Sequence, residues 1–126
     1  MENIIESEMD CIKELDGKIA IKVESTGDEL NFTMENGDVY SFYHDQDCCE
    51  HVVIEDICGD LEDLVGSPLT AYKSSKIGDV GESSTWTFYI FRTIKGTVTV
   101  RWLGTSNGFY SEGVSLICRK TNSTRN

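Results

Sequence analysis

Residues 44–51 read His-Asp-Gln-Asp-Cys-Cys-Glu-His, placing two histidines, two adjacent cysteines and three carboxylates in eight positions. Such a set could bind zinc, activate a thiol or hold a divalent cation, and each chemistry makes its own demand on spacing. Zinc takes four N or S ligands in a tetrahedron, mostly offered in pairs two to four residues apart. His44, Cys48, Cys49 and His51, with Cys58 as a further thiol, supply the right atoms. Their spacing does not fit, because adjacent Cys48 and Cys49 point to opposite faces of an extended chain and are poor partners for each other. A nucleophilic cysteine wants a basic surrounding, whereas Asp45, Asp47 and Glu50 favour the neutral thiol. The expectation is no catalytic residue, no cofactor and no metal, with zinc on His44, Cys48, Cys49 and His51 as the minor alternative. The stretch reads as the turn into the next strand. Its cysteines are then small buried fillers, and His44, Gln46 and Asp47 are polar groups that can hydrogen-bond a ligand.

A second constellation lies in the last third, Thr-Trp-Thr-Phe-Tyr-Ile-Phe-Arg-Thr-Ile-Lys-Gly-Thr-Val-Thr-Val-Arg-Trp over residues 85–102. Arg92 and Arg101 can grip phosphate bidentately, and Trp86, Phe88 or Tyr110 can stack on a base, with Asn107 as a polar neighbour. The competing reading buries the aromatics and pairs the arginines with carboxylates. No P-loop, dinucleotide fingerprint, zinc-protease helix or serine elbow occurs.

Apolar and polar residues alternate through most of the chain, so strands must position these groups. Asn36-Gly37 signals a two-residue hairpin that would place Leu30, Phe32, Met34, Val39 and Tyr43 on one core face. Residues 51–57 and 69–75 read as further strands, and residues 60–65 as a short helix. Lys95-Gly96 and Asn107-Gly108 would join three strands into a meander. With Lys95 and Gly96 at the turn centre, Phe91 faces Val100 and Tyr89 faces Trp102, while Arg92 and Arg101 become diagonal neighbours. Ile5, Met9 and Ile12 suggest a weak amphipathic helix over residues 1–16. The expected fold is α+β, mainly β, with antiparallel hairpins and a meander forming a sheet sandwich or partly open barrel. It is one domain over 1–126, with a β-rich core at 18–118 and a flexible tail at 119–126.

At 126 residues such a chain buries about two-thirds of its unfolded surface and needs no metal to fold. An acidic N-terminus and the absence of a long apolar run predict a cytoplasmic, non-membrane protein with reduced cysteines. The net charge of −11 is unevenly spread: residues 1–63 carry 19 Asp/Glu against 3 Lys/Arg, and residues 64–126 carry 3 against 8. That imbalance argues against direct binding of nucleic acid over the whole surface. It allows an acidic face that imitates nucleic acid, or a small basic site for an anion.

Three motifs, His44-x-Gln-Asp-Cys-Cys-Glu50, Ile54-Glu-Asp-Ile-x-Gly-Asp-Leu61, and Thr93-Ile-Lys-Gly96 with Arg101-Trp-x-Gly-x-Ser-Asn-Gly-x-Tyr-Ser-Glu112, resemble a family of small phage- and prophage-encoded proteins of unknown function, mostly in Gram-positive hosts. The resemblance spans roughly residues 15–117. It implies a setting in the bacterial host cytoplasm and no mechanism. By analogy, small phage proteins without catalytic motifs act in counter-defence. The leading expectation is a non-enzymatic, oligomeric sponge that sequesters a cyclic nucleotide or cyclic ADP-ribose-like immune signal. The alternatives are an acidic inhibitor of a host nucleic-acid-binding protein and, third, a metal-dependent hydrolase.

Overall fold

Thr87, Tyr89, Phe91 and Thr93 alternate with Trp86, Phe88, Ile90 and Arg92, and only the odd-numbered set is buried. A strand that buries one face needs a second layer to cover it. The computed structural model describes residues 3–5 and 12–120. Among these, β1 (Asn3–Ile5), β2 (Ala20–Ser25), β3 (Glu29–Met34), β4 (Val39–Tyr43) and β9 (Ser115–Lys120) form one antiparallel sheet in the order β1-β9-β4-β3-β2. The second sheet is β5 (His51–Cys58), β6 (Thr70–Ile77), β7 (Ser83–Thr93) and β8 (Gly96–Ser106), in the order β5-β8-β7-β6. The architecture is therefore mainly β, a sandwich and not a closed barrel. A 3₁₀ helix, Leu61–Leu64, stands where a short helix was expected.

Between the sheets, Phe32 and Phe42 meet Tyr89 and Phe91, with centroids 4.8 Å apart for Phe32–Phe91 and 4.7 Å for Phe42–Tyr89. Trp102, Val98 and Val100 extend this core along β8, and Leu15, Leu64 and Leu69 close one side. On that side residues 17–20 run beside residues 65–69, through Gly17 N–H to Leu69 O and Gly66 N–H to Ala20 O.

Three expectations need correction. First, the β3–β4 hairpin has a three-residue loop. Only Gly37 has a positive φ, at 95°, so the type I′ turn that needs two such residues does not form. The pairing becomes Leu30 with Phe42 and Phe32 with Tyr40. A one-residue slip exchanges the faces, so Tyr40 and Phe42 enter the core while Val39 and Tyr43 turn outward. Second, the β7–β8 turn centres on Ile94 and Lys95, because Thr93 pairs with Gly96. Thr93 Oγ1 donates to Asp63 O and Lys95 Nζ to Val65 O, tying this turn to the 3₁₀ segment. Phe91 therefore faces Val98 and Tyr89 faces Val100. Third, Asn107-Gly108 does not return the chain onto β8. That edge is taken by β5, so β9 crosses to the other sheet and lies between β1 and β4.

Of the helix expected over 1–16, residues 12–14 are helical and Asn3–Ile5 is strand β1; Met9, with the rest of 6–11, lies outside the described residues. So does 121–126 of the expected tail, whereas Arg119 and Lys120 belong to β9.

Phe91 touches rings from both sheets. Phe91→Ala is expected to lower the free energy of unfolding by about 3–5 kcal/mol, measured by urea denaturation.

Candidate functional site

The outward face of the four-stranded sheet carries what the inward alternation leaves over. In successive rows, Lys76 pairs with Trp86 and Trp86 with Leu103, Ser74 with Phe88 and Phe88 with Arg101, and Tyr72 with Ile90 and Ile90 with Thr99. Trp86, Phe88, Ile90 and Leu103 are half-buried, and Tyr72 is 62% exposed. The Arg101 guanidinium lies over the Trp86 ring, 5.2 Å from its centroid, and Lys76 Nζ is 5.9 Å from that of Phe88. A cation placed over an indole is drawn to the negative face of the ring, so cationic and aromatic groups share this surface.

Arg101 is not free to swing. Its Nε donates to Glu55 Oε1 at 2.7 Å, and Asp56 lies 3.9 Å away. That hydrogen bond, against the opposing pull of partial burial and with the charges of Glu55 and Asp56 adding, raises the guanidinium pKa. Arg92 shares the face, but the diagonal contact expected with Arg101 does not form. Arg92 pairs with Thr97, and Arg101 with Phe88, four positions along β7, or about 13 Å. The two-residue slip keeps both arginines on one face and moves them apart. Arg92 Nε donates to Thr97 Oγ1 at 3.3 Å.

His44, Gln46 and Asp47 lie elsewhere, in the crossing from β4 to β5, where Glu50 organises the loop. Its carboxylate, fully enclosed, accepts the N–H groups of Asp47 at 2.7 Å and Cys48 at 3.0 Å, and meets His44 Nε2 at 2.7 Å. His44 Nδ1 is 2.7 Å from Gly113 O in the other crossing, from β8 to β9. Both ring nitrogens of His44 are thus engaged by acceptor groups of the protein itself. Gln46 Nε2 donates to Glu50 O. His44 thus serves the protein's own chain and has no nitrogen left for a ligand. Its hydrogen bond, opposed by desolvation and aided by the Cys48 and Asp47 amides, holds the Glu50 carboxyl down to about 2 from an ordinary 4.5.

Cys48 and Cys49 are exposed and joined to each other, not buried fillers. They line an open depression of ≈ 490 Å³ with His51, Glu82, Thr105 and Asn107. Asn107 is exposed, and its Oδ1 accepts the Phe109 N–H; Tyr110 is half-buried in the same connection. Among the described residues, no three His, Cys, Asp or Glu side chains are placed to share a metal ion.

The residues named from sequence therefore occupy two places: Trp86, Phe88, Arg92 and Arg101 on a sheet face, and His44, Gln46, Asp47, Asn107 and Tyr110 at one end of the sandwich. Sequence reasoning missed four participants. Lys76 and Tyr72 had a signal, since β6 alternates beside β7. Glu50 had one too, as a carboxylate two and three positions after the amides it receives. Glu112 had none: its carboxylate accepts Thr85 Oγ1 at 2.7 Å and Ser106 Oγ, joining residues far apart in sequence. Burial pushes the Glu112 pKa up, but the Ser106, Ser83 and Thr85 hydroxyls together bring it below the ordinary value.

A further hollow, ≈ 550 Å³, lies on the outer face of the five-stranded sheet among Glu24, Glu29, Asn31, Ser41, Tyr43 and Arg119. Its two carboxylates oppose an anionic guest.

Glu50 contributes stability that is complete above about pH 4.5 and is lost as the pH falls from there through about 2. Glu50→Gln is expected to melt lower than the parent at neutral pH and to lose less on acidification, as followed by thermal unfolding from pH 7 to 2. A Cβ on Gly104 would overlap the Glu112 carbonyl oxygen. Gly104→Ala is therefore expected to cost about 1–3 kcal/mol in chemical denaturation.

No helix among the described residues is long and apolar enough to cross a membrane. No curated protein and no solved structure matches the chain. Residues 13–116 match a family described as a domain of unknown function, DUF7448, and the chain belongs to that family.

Proposed function

We propose that this chain is a non-enzymatic binding protein that holds an anionic, ring-bearing ligand of the nucleotide type on the outer face of its four-stranded sheet. The observation that carries this reading is the Trp86–Phe88 pair, left outward and half-exposed, with the Arg101 guanidinium over the indole and Lys76 beside Phe88. A base would stack on Trp86 or Phe88, worth about 1–3 kcal/mol per base. Because Glu55 engages Arg101, the phosphate would meet Lys76. Arg92 stands six positions from Trp86, about 20 Å along the strand, outside the reach of one nucleotide. The resemblance to phage-encoded proteins extends the proposal: a counter-defence protein acting as a homo-oligomer in the host cytoplasm, where it sequesters a cyclic nucleotide or cyclic ADP-ribose-like signal.

A second reading is an acidic inhibitor of a host nucleic-acid-binding protein. In its favour, carboxylates gather between strands: Asp45 and Asp47 in one crossing, Asp60, Glu62 and Asp63 in another. It requires that partner capture weaken steeply with salt.

Trp102 is fully buried and Trp86 is not, so a ligand on the sheet face is expected to quench Trp86 emission alone. Titration with cyclic nucleotides and cyclic ADP-ribose isomers is expected to give heat and quenching at micromolar protein. Trp86→Leu should weaken binding about ten-fold or more. No heat from any member of that panel would remove the proposal.

A further inference from the structure

We infer that Cys48 and Cys49 are a reversible redox site, at which a dithiol reductant opens a ring closed between neighbouring residues and thereby loosens the β4–β5 crossing. The two sulfurs are bonded to each other, both residues are exposed, and they line the open depression beside His51 and Glu82, where a small thiol can reach them. Adjacent cysteines joined in this way close an eight-membered ring through their own peptide unit, which restricts the backbone between the two Cα atoms.

That backbone is part of a relay. The Cys48 N–H and the neighbouring Asp47 N–H donate to the Glu50 carboxylate, the carboxylate binds His44, and His44 holds Gly113 in the β8–β9 crossing. The Gln46 side chain spans the same turn to Glu50 O. Beside the sulfur bond, these ties of the loop are hydrogen bonds, which a freed backbone can give up.

The exchange is balanced. A reductant thiolate bonds to one Sγ, the Cys48–Cys49 bond breaks, and the departing sulfur takes a proton. The reductant's second thiol then displaces the mixed disulfide, leaving two cysteine thiols and the reductant's own disulfide. An oxidised dithiol of the same class runs the steps backwards.

Cys58 provides an internal reference. It is exposed, unbonded, and its thiol lies 3.4 Å from Asp56 Oδ2. The test is maleimide labelling of the full chain with peptide mapping, alongside amide hydrogen exchange. In air-oxidised protein, Cys58 is expected to label while the peptide holding Cys48 and Cys49 stays unlabelled and two hydrogens lighter than its thiol form. After dithiothreitol both cysteines take label, and exchange at the Asp47 and Cys48 amides quickens several-fold, reverting on reoxidation. The double variant Cys48→Ser/Cys49→Ser is expected to exchange fast at residue 47 with or without reductant. Labelling of Cys48 or Cys49 before reduction would overturn the inference, as would equal exchange in the two redox states.

Discussion

Two phenylalanines from one sheet and a tyrosine and a phenylalanine from the other meet at the centre of the sandwich, and the outward faces of their strands follow from which side chains that packing claims. Once Phe32, Phe42, Tyr89 and Phe91 face inward, strand alternation leaves no choice about Trp86, Phe88 and Ile90: they must face out. Aromatic side chains bury large areas and prefer tilted or edge contacts, and Phe42 makes such contacts with Phe32, Tyr89 and Phe91 at once. Tyr40 is also drawn inward; burial raises its hydroxyl pKa, with Glu14, which accepts its hydrogen bond, adding to the effect. The stacking surface on the far side of β7 is thus the complement of the core.

The strands were legible because alternation is a local property. Residues 51–58 and 70–77 form strands close to where their pattern puts them. The faces of β7 were legible too, since an even slip preserves them. β4 was not: Asn36-Gly37 suits a two-residue loop, but the Met34 N–H to Asp38 O bond closes a three-residue one, and a single position decides whether Tyr40 or Val39 is inside. The pairing of β5 with β8 and the crossing of β9 depend on competition for one strand edge, which neighbouring residues do not encode.

The candidate site divided along the same line. Trp86, Phe88, Arg92 and Arg101 lie on one face as the pattern implied, because facing is a matter of parity. The spacing between the arginines needed the turn register. His44 looked available because it is polar and flanked by carboxylates; the carbonyl that occupies its second nitrogen belongs to Gly113, which lies far along the chain.

Among residues 12–120, the strands contain only four carboxylates, Glu24, Glu29, Glu55 and Asp56; every other Asp and Glu lies outside the strands. Among these residues the negative charge therefore gathers mostly around the ends of the sandwich, while the outer face of the four-stranded sheet carries Lys76, Arg92 and Arg101. A diffusing anion is turned away at the fringe and meets the least repulsion broadside on the four-stranded sheet. For such a visitor the molecule has a direction of approach, set by where its turns are and not by its total charge.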